Sequence, residues 1–340
     1  MSPPSPLVAL CCPDKFRGSL AAPVAARALA DGLRRAGLDA DELPLADGGE
    51  GTLDTLLAAL GGDRRRRRVT GPLGSPVQAE WAVLPDGTAV IEAARASGLA
   101  LARGGNDPVG ATTAGVGELL RAAAEAGACR ALVCVGGSAT TDGGLGAVEA
   151  LGWSLGGLEV VVACDVETRF RDAAAVFGPQ KGASPAQVAF LEERLDLLAA
   201  EYRARTGVDV ASLPGAGAAG GLAGGLAALG ASLRSGFEVV AAAAGLPGAL
   251  ERADVVVTGE GTVDASSFRG KVVGRVLAAA AGRRCVVVGG EVTEEARRAL
   301  PAGVVVRRLL DLARSREDAF ARADELLTGV ALEVGRELAQ

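Results

Sequence analysis

The sequence has no histidine, one methionine, one tyrosine and, among 340 residues, three lysines: Lys15, Lys181 and Lys271. Without histidine there is no Ser-His-Asp triad, no Cys-His pair and no HExxH zinc site, so acid-base chemistry falls to Asp, Glu, Lys, Arg, Cys, Ser or Thr. Positive charge is also in deficit: the net charge is −6 and the pI about 5.1, which argues against nucleic acid as a partner. The one basic block, Arg64 to Arg68, reads as a solvated strand or loop edge, with a local anion site as the alternative. None of the six cysteines (Cys11, Cys12, Cys129, Cys134, Cys164, Cys285) forms a CxxC pair or a zinc spacing, and they read as small buried hydrophobes in a reducing cytosol. Met1 to Leu10 has no basic region before its short apolar run and is not expected to be a signal peptide. Val210 to Leu233 is uncharged and long enough to span a bilayer. Its Ala/Gly composition and Pro214 make it too weakly hydrophobic to do so. These readings place the protein in the cytoplasm, with no membrane partner.

Glycine is in excess: 49 residues, about twice the usual share of roughly 7%. The length exceeds what one hydrophobic core normally serves, so two domains are expected. Leu7 to Cys12 is a short apolar run suited to a strand buried on both faces. Helical spacing follows from Pro23 to Gly37, a second strand at Asp41 to Leu45, and a helix with Leu53, Leu56, Leu57 and Leu60 on one face. The rhythm returns at the end: strand Asp254 to Thr258, helix Val272 to Ala281, strand Cys285 to Val288, helix Thr293 to Leu300, strand Val304 to Leu309, and one long amphipathic helix from Glu317 to Leu338. Between them, Val69 to Ala89 carries short alternating runs and the turns Gly71-Pro72, Ser75-Pro76 and Asp86-Gly87. The expected fold is α/β: a Rossmann-like, doubly wound parallel sheet of order 2-1-3-4-5, built from residues 1–64 and 252–340, with a large α/β domain inserted over residues 65–251.

Four segments are rich in glycine, Asp47 to Thr52, Gly136 to Gly144, Gly215 to Gly221, and Thr258 to Asp264, and all but the third also carry acids and hydroxyls. Glycine lets a ligand approach the backbone, and a following helix adds N–H groups and its dipole, which is how phosphates are bound. The alternative, tight turns and nothing more, leaves unexplained the carboxylates of Asp47, Glu50, Asp142, Glu260 and Asp264, which could position Mg²⁺ or accept hydrogen bonds from a hydroxylated substrate. No GxxxxGK[ST] sequence is present, and no GxGxxG follows the first strand. The lysines sit inside motifs: Asp14-Lys15-Phe16-Arg17-Gly18-Ser19 after the first strand, a loop Phe177 to Ala183 around Lys181, and Gly270-Lys271 at a helix start.

With these motifs in this order, the chain resembles the two-domain bacterial glycerate kinases. The likeness also takes in Asn106-Asp107-Pro108, Thr112-Thr113, Gly117-Glu118-Leu119 and Cys164-Asp165-Val166, and covers almost the whole chain. The resemblance implies ATP and Mg²⁺, glycerate as acceptor, 2-phosphoglycerate as product, and an active site in the cleft between the two domains. Lys181 and Arg17 are then candidates for stabilising the transferring phosphoryl group or holding the glycerate carboxylate, and Asp165 for orienting or deprotonating the hydroxyl. Asp14, Lys15, Ser19, Gly48, Gly49, Gly136, Gly137, Ser138, Thr140 and Lys271 are candidates for binding substrate and phosphate. Asp47, Glu260 and Asp264 are candidates for the metal. A homodimer is compatible with the sequence. The alternatives are a kinase for another small hydroxy acid and a non-catalytic hydroxy-acid or nucleotide sensor. The chain departs from the family in having Arg17 where lysine is usual and Thr168-Arg169-Phe170 where Asn-Pro-Leu is usual. It also has only Trp153 to Leu158 where the family carries some tens of residues, a loss that trims either a peripheral element or part of a substrate lid.

Overall fold

A computed structural model describes residues 6–339. Residues 1–5 of the segment judged for a leader lie outside the described residues. The strands, numbered in chain order, are β1 (Val8–Cys11), β2 (Asp39–Glu42), β3 (Asp63–Thr70), β4 (Pro76–Val83), β5 (Thr88–Glu92), β6 (Arg130–Cys134), β7 (Glu159–Ala163), β8 (Ser232–Arg234), β9 (Val255–Val263), β10 (Arg284–Val292) and β11 (Val305–Arg308). The chain divides into two compact units: Met1–Asp47, Asp54–Ala59 and Val240–Gln340 form unit 1, and Gly48–Leu53 and Leu60–Val239 form unit 2. Among the described residues no helix is long and apolar enough to cross a membrane.

Unit 1 is built on an all-parallel sheet in the order β11-β10-β9-β1-β2. Counted within the unit this is 2-1-3-4-5, the order expected from the sequence. The apolar runs of β1, β9 and β10 are buried between helical layers, as parallel strands require. On one side the helices Ala22–Arg35 and Ala323–Leu338 approach closely enough that a Cβ at Gly32 would lie 2.6 Å from the Ala331 methyl.

Four sequence expectations are corrected here. First, β9 does not end at Thr258 but runs to Val263, and β10 runs to Val292, so Gly259, Glu260 and Gly261 are strand residues rather than a loop. The glycines permit this: Gly259 pairs with Val288, and a Cβ on it would strike the Val288 carbonyl oxygen, while one on Gly290 would lie 2.5 Å from the Gly261 carbonyl oxygen. Second, the long C-terminal helix is two, Arg316–Ala321 and Ala323–Leu338, broken at Arg322, whose backbone leaves helical geometry while its guanidinium pairs with Asp318 and Glu325 on either side. Third, β2 starts two residues earlier than expected, its Asp39 N–H donating to Leu7 O. Fourth, Cys129 is exposed and Cys164 half-buried, because each lies outside its neighbouring strand, one residue before β6 and one after β7. The other four cysteines are buried.

Unit 2 carries a six-stranded sheet, β3-β4-β5-β6-β7-β8, antiparallel from β3 to β5 and parallel from β5 to β8. The two hairpins close at the turns read from the sequence, with Gly71 N–H on Ser75 O and Leu84 N–H on Thr88 O. Arg64 to Arg68 lie on the edge strand β3, largely solvated, with Arg64 and Arg66 paired to Glu80 across the strand. The short bridge Trp153 to Leu158 turns on three left-handed residues, Trp153 (φ 64°), Gly156 and Gly157. Trp153 is held there by an edge contact with Tyr202, ring centroids 5.7 Å apart, and by Arg205 over its ring at 4.0 Å.

Candidate active site

In unit 2 the parallel strands β5, β6 and β7 end side by side, and the chemistry-bearing residues leave from those ends, where ligands bind in open α/β sheets. After β6, the Gly136–Gly144 segment leads into the helix Leu145–Ala150. Its acid, Asp142, ties the segment down. It accepts from Thr113 N and Oγ1, both at 2.8 Å, and from the N–H groups of Gly144 and Gly146 at 3.1 and 3.2 Å. Lys181 belongs to a 3₁₀ turn, Pro179–Lys181, following the short helix Ala173–Phe177, where a plain loop was expected. Its side chain is buried, and Nζ donates to Ser138 Oγ at 2.9 Å and Thr140 O at 2.5 Å. Burial pushes the ammonium down from 10.5 to about 8, against the pull of Asp142. Asn106 spans the same place, Nδ2 donating to Ala139 O and Lys181 O. Its Oδ1 and the Thr141 hydroxyl are buried without a partner, which leaves an acceptor and a hydroxyl free for a polar ligand.

The Gly48–Gly51 loop packs onto this segment through bare backbone. A Cβ at Gly136 would lie 3.3 Å from Gly49 Cα, one at Gly137 (φ 60°) would fall on the Glu50 carboxylate, and one at Gly48 would lie 2.6 Å from Gly236 Cα. From the other side, a Cβ at Gly220 would fall on the Thr140 carbonyl oxygen. Asp165, two residues past β7, accepts from Ser235 Oγ at 2.8 Å and from the N–H groups of Gly236 and Phe237 at 3.0 and 3.3 Å, so it caps the helix Gly236–Ala243.

Unit 1 holds a second group. The Asp14–Ser19 loop leaves β1 and is fastened to β9 by Asp14 N–H on Gly259 O at 2.8 Å. Lys15 Nζ lies 3.7 Å from both Asp14 and Asp47. Asp14 is buried. Burial raises its carboxyl from 3.8 to about 6, with Lys15 opposing and Asp47 and Glu260 adding to the rise. Burial likewise raises Glu260, whose Oε1 has no hydrogen-bond partner. Asp264 is already engaged: it caps the turn Ala265–Phe268 through Ser266 N and Oγ, hydrogen bonds that hold its carboxyl below the usual range. Lys271, at the start of the helix Val272–Ala279, donates to Ser266 Oγ at 2.6 Å. Arg17 and Ser19 line a hollow beside this group. Among the described residues no three His, Cys, Asp or Glu side chains are grouped as a metal cage would group them.

The sequence candidates therefore fall into two sets. Gly48, Gly49, Gly136, Gly137, Ser138, Thr140, Asp165 and Lys181 lie in unit 2; Asp14, Lys15, Arg17, Ser19, Asp47, Glu260, Asp264 and Lys271 lie in unit 1. Sequence reading passed over Glu92. This buried carboxylate ends β5 and accepts the N–H groups of Gly51 and Leu53 at 2.8 and 2.9 Å, while Arg95 pairs with its other oxygen at 2.7 Å. Its signal is an acid closing the apolar run Ala89-Val90-Ile91, where a charge has no reason to be buried unless it holds something.

Comparison with known proteins agrees on one family. The model of the glycerate kinase family matches residues 9–157 and 154–339, two segments that overlap within the short bridge after Trp153. The glycerate 2-kinase of Escherichia coli K12 is 41% identical over 298 residues, covering 76% of this chain and 78% of that protein. The glycerate kinase of Bacillus subtilis 168 is 36% identical over 97% of both chains. A crystal structure designated glycerate kinase 2, from Salmonella typhimurium LT2, superposes with a TM-score of 0.83 at 34% identity, over 98% of this chain and 99% of its own. With matches that run from residue 9 to residue 339, this protein belongs to the glycerate kinase family.

Proposed function

We propose that the protein transfers a phosphoryl group from ATP, with Mg²⁺, to a hydroxyl of D-glycerate, giving 2-phosphoglycerate. The observation that carries the reading is Lys181: a buried ammonium fixed on Ser138 and Thr140 within a glycine-lined segment, next to the unpaired Thr141 hydroxyl and Asn106 oxygen. A desolvated cation of this kind interacts strongly with a carboxylate or with charge developing on a phosphoryl group. In unit 2, Lys181 and the Gly136–Thr141 segment bind the acidic acceptor or the transferring group, and Asp165 orients the hydroxyl. In unit 1, Lys15, Lys271, Ser19 and Arg17 bind phosphate oxygens.

The acids of unit 1 fit a phosphate-bound Mg²⁺ better than a metal held by protein alone, because Mg²⁺ takes one or two carboxylates plus substrate phosphates. Glu260, with its buried unpartnered oxygen, and Asp47 would hold it. Asp264, committed as a cap, would set Ser266 and through it Lys271. When bound, the metal neutralises charge on the phosphates. With no imidazole in the chain, the chain's own share of the chemistry is positioning and charge, with Asp165 as the carboxylate that takes up the hydroxyl hydrogen bond.

A coupled ADP-release assay with D-glycerate, L-glycerate and related hydroxy acids tests this, with NMR identification of the product. D-glycerate is expected to give the highest kcat/KM and the 2-phosphate. ATP binding without ADP release on any acid would sink the kinase reading in favour of a sensor.

A further inference from the structure

At the C-terminal ends of β9, β10 and β11, unit 1 has a hollow of about 450 Å³, open mouth included. Its walls are apolar: Phe16, Leu309, Leu310 and Ala319 line it, and Phe320 stands at it from the helix Arg316–Ala321. Phe16 and Leu309 are fully buried, whereas the Phe320 ring is 47% exposed and pairs with no other aromatic ring among the described residues. That ring lies against Gly18, in a left-handed conformation (φ 84°), where a Cβ would come within 3.1 Å of it. Gly261 and Gly290 line the hollow too, offering peptide edges rather than side chains. Polar groups line it as well: Arg17, Ser19, Thr262, and Glu291 facing Arg316 at 3.7 Å.

The position matters as much as the lining. The strand order of unit 1 reverses between β1 and β9, the place where open parallel sheets bind nucleotides, and the hollow is lined in part from both sides of that reversal, by Phe16, Arg17 and Ser19 after β1 and by Gly261 and Thr262 of β9. Two separate chain passages lead into it in the same sense: Asp14-Lys15 runs into Phe16-Arg17, and Glu260 runs into Gly261. The lysine and carboxylate cluster and the apolar hollow are therefore neighbours along both passages. An apolar slot with a few polar edges suits a flat heterocycle, and the charged cluster beside it suits the phosphates attached to that heterocycle.

We propose that this hollow holds the base of the phosphoryl-donor nucleotide, with the Phe320 ring stacked on it. The inference rests on the phosphotransfer reading above. Adenosine, which lacks phosphates, probes the base subsite alone. In Phe320→Trp, adenosine should quench the added indole; the two native tryptophans, Trp81 and Trp153, belong to unit 2. In Phe320→Ala, loss of stacking should raise the Kd for adenosine and the KM for ATP about fivefold or more. The KM for glycerate should not follow, and Phe320→Trp should restore the KM for ATP. Because the ring is half exposed, thermal unfolding of Phe320→Ala should stay close to wild type. An unchanged KM for ATP in Phe320→Ala, or an indole that adenosine does not affect, overturns the proposal while leaving the kinase reading intact. Phe320-dependent adenosine binding with no ADP release on any hydroxy acid upholds the base subsite and overturns the kinase reading.

Discussion

Lys181→Met removes a buried ammonium while keeping an unbranched side chain of similar length. Burial holds the Lys181 pKa at about 8 instead of 10.5. At 1.36 kcal/mol per unit, keeping the charge in the fold costs about 3 kcal/mol. The folded value lies below the unfolded one, so between pH 8 and 10.5 the unfolded chain binds more protons, and this group's contribution to stability rises with pH across that window. Below about pH 8 both states are protonated and the full penalty applies. Methionine escapes the penalty and forfeits two hydrogen bonds, worth about 1 kcal/mol each. At pH 7 the variant should match or exceed wild type in urea unfolding, and the difference should move in favour of wild type by roughly 2–3 kcal/mol as pH rises toward 10. The same variant should lose about 100- to 1,000-fold in kcat/KM, the scale for removing one pre-set electrostatic donor. Wild-type KM for the acid should rise above about pH 8 as the ammonium deprotonates. Stability differences that stay parallel from pH 7 to 10, or turnover within tenfold of wild type, would refute the argument.

Other residues give separate tests. Gly220→Ala sets a methyl against the Thr140 carbonyl at a left-handed position (φ 69°), and should lower Tm by several degrees and reduce activity, because the obstacle is backbone and cannot rotate away. Glu92→Ala leaves Gly51 N–H, Leu53 N–H and Arg95 without their acceptor; urea unfolding should show a loss of about 2–4 kcal/mol. Asp14 keeps its proton to about pH 6 in the fold but only to about 3.8 when unfolded. Its contribution to stability therefore falls as pH rises across that window, and Asp14→Asn should flatten that part of a Tm-against-pH curve.

The alternation of strands and helices in unit 1 could be read from the sequence because most of its apolar runs are short, continuous and separated by clear helical spacing, and the strand order followed from the doubly wound fold class. The extension of β9 and β10 could not, since Gly259, Gly261, Gly289 and Gly290 look like turn signals, yet Gly259 and Gly290 are close-approach points between the two strands and Gly261 is one against Phe16 and Arg17. The break at Arg322 has no proline or glycine to announce it. At the site, the sequence pointed to Lys181 through its rarity and its motif, but only the fold shows that Ser138 and Thr140 hold it. Glu92 went unread because its partners are the N–H groups of Gly51 and Leu53, some forty positions earlier, and pairing at that separation has no local pattern. The acids of the glycine segments divide in the same way: Asp142 and Asp264 fasten backbone, a use that composition does not separate from ligand binding.

The interlocked loops of unit 2 also bear on how this site could be altered. Where Gly48 and Gly220 meet their neighbours there is no space for even a methyl group. A library randomised at those positions would consist mostly of misfolded clones, whatever acid it was selected on. Variation in acceptor choice is better sought at Thr141, whose hydroxyl has no partner to lose, than at Asn106, which would give up its hydrogen bonds to Ala139 O and Lys181 O.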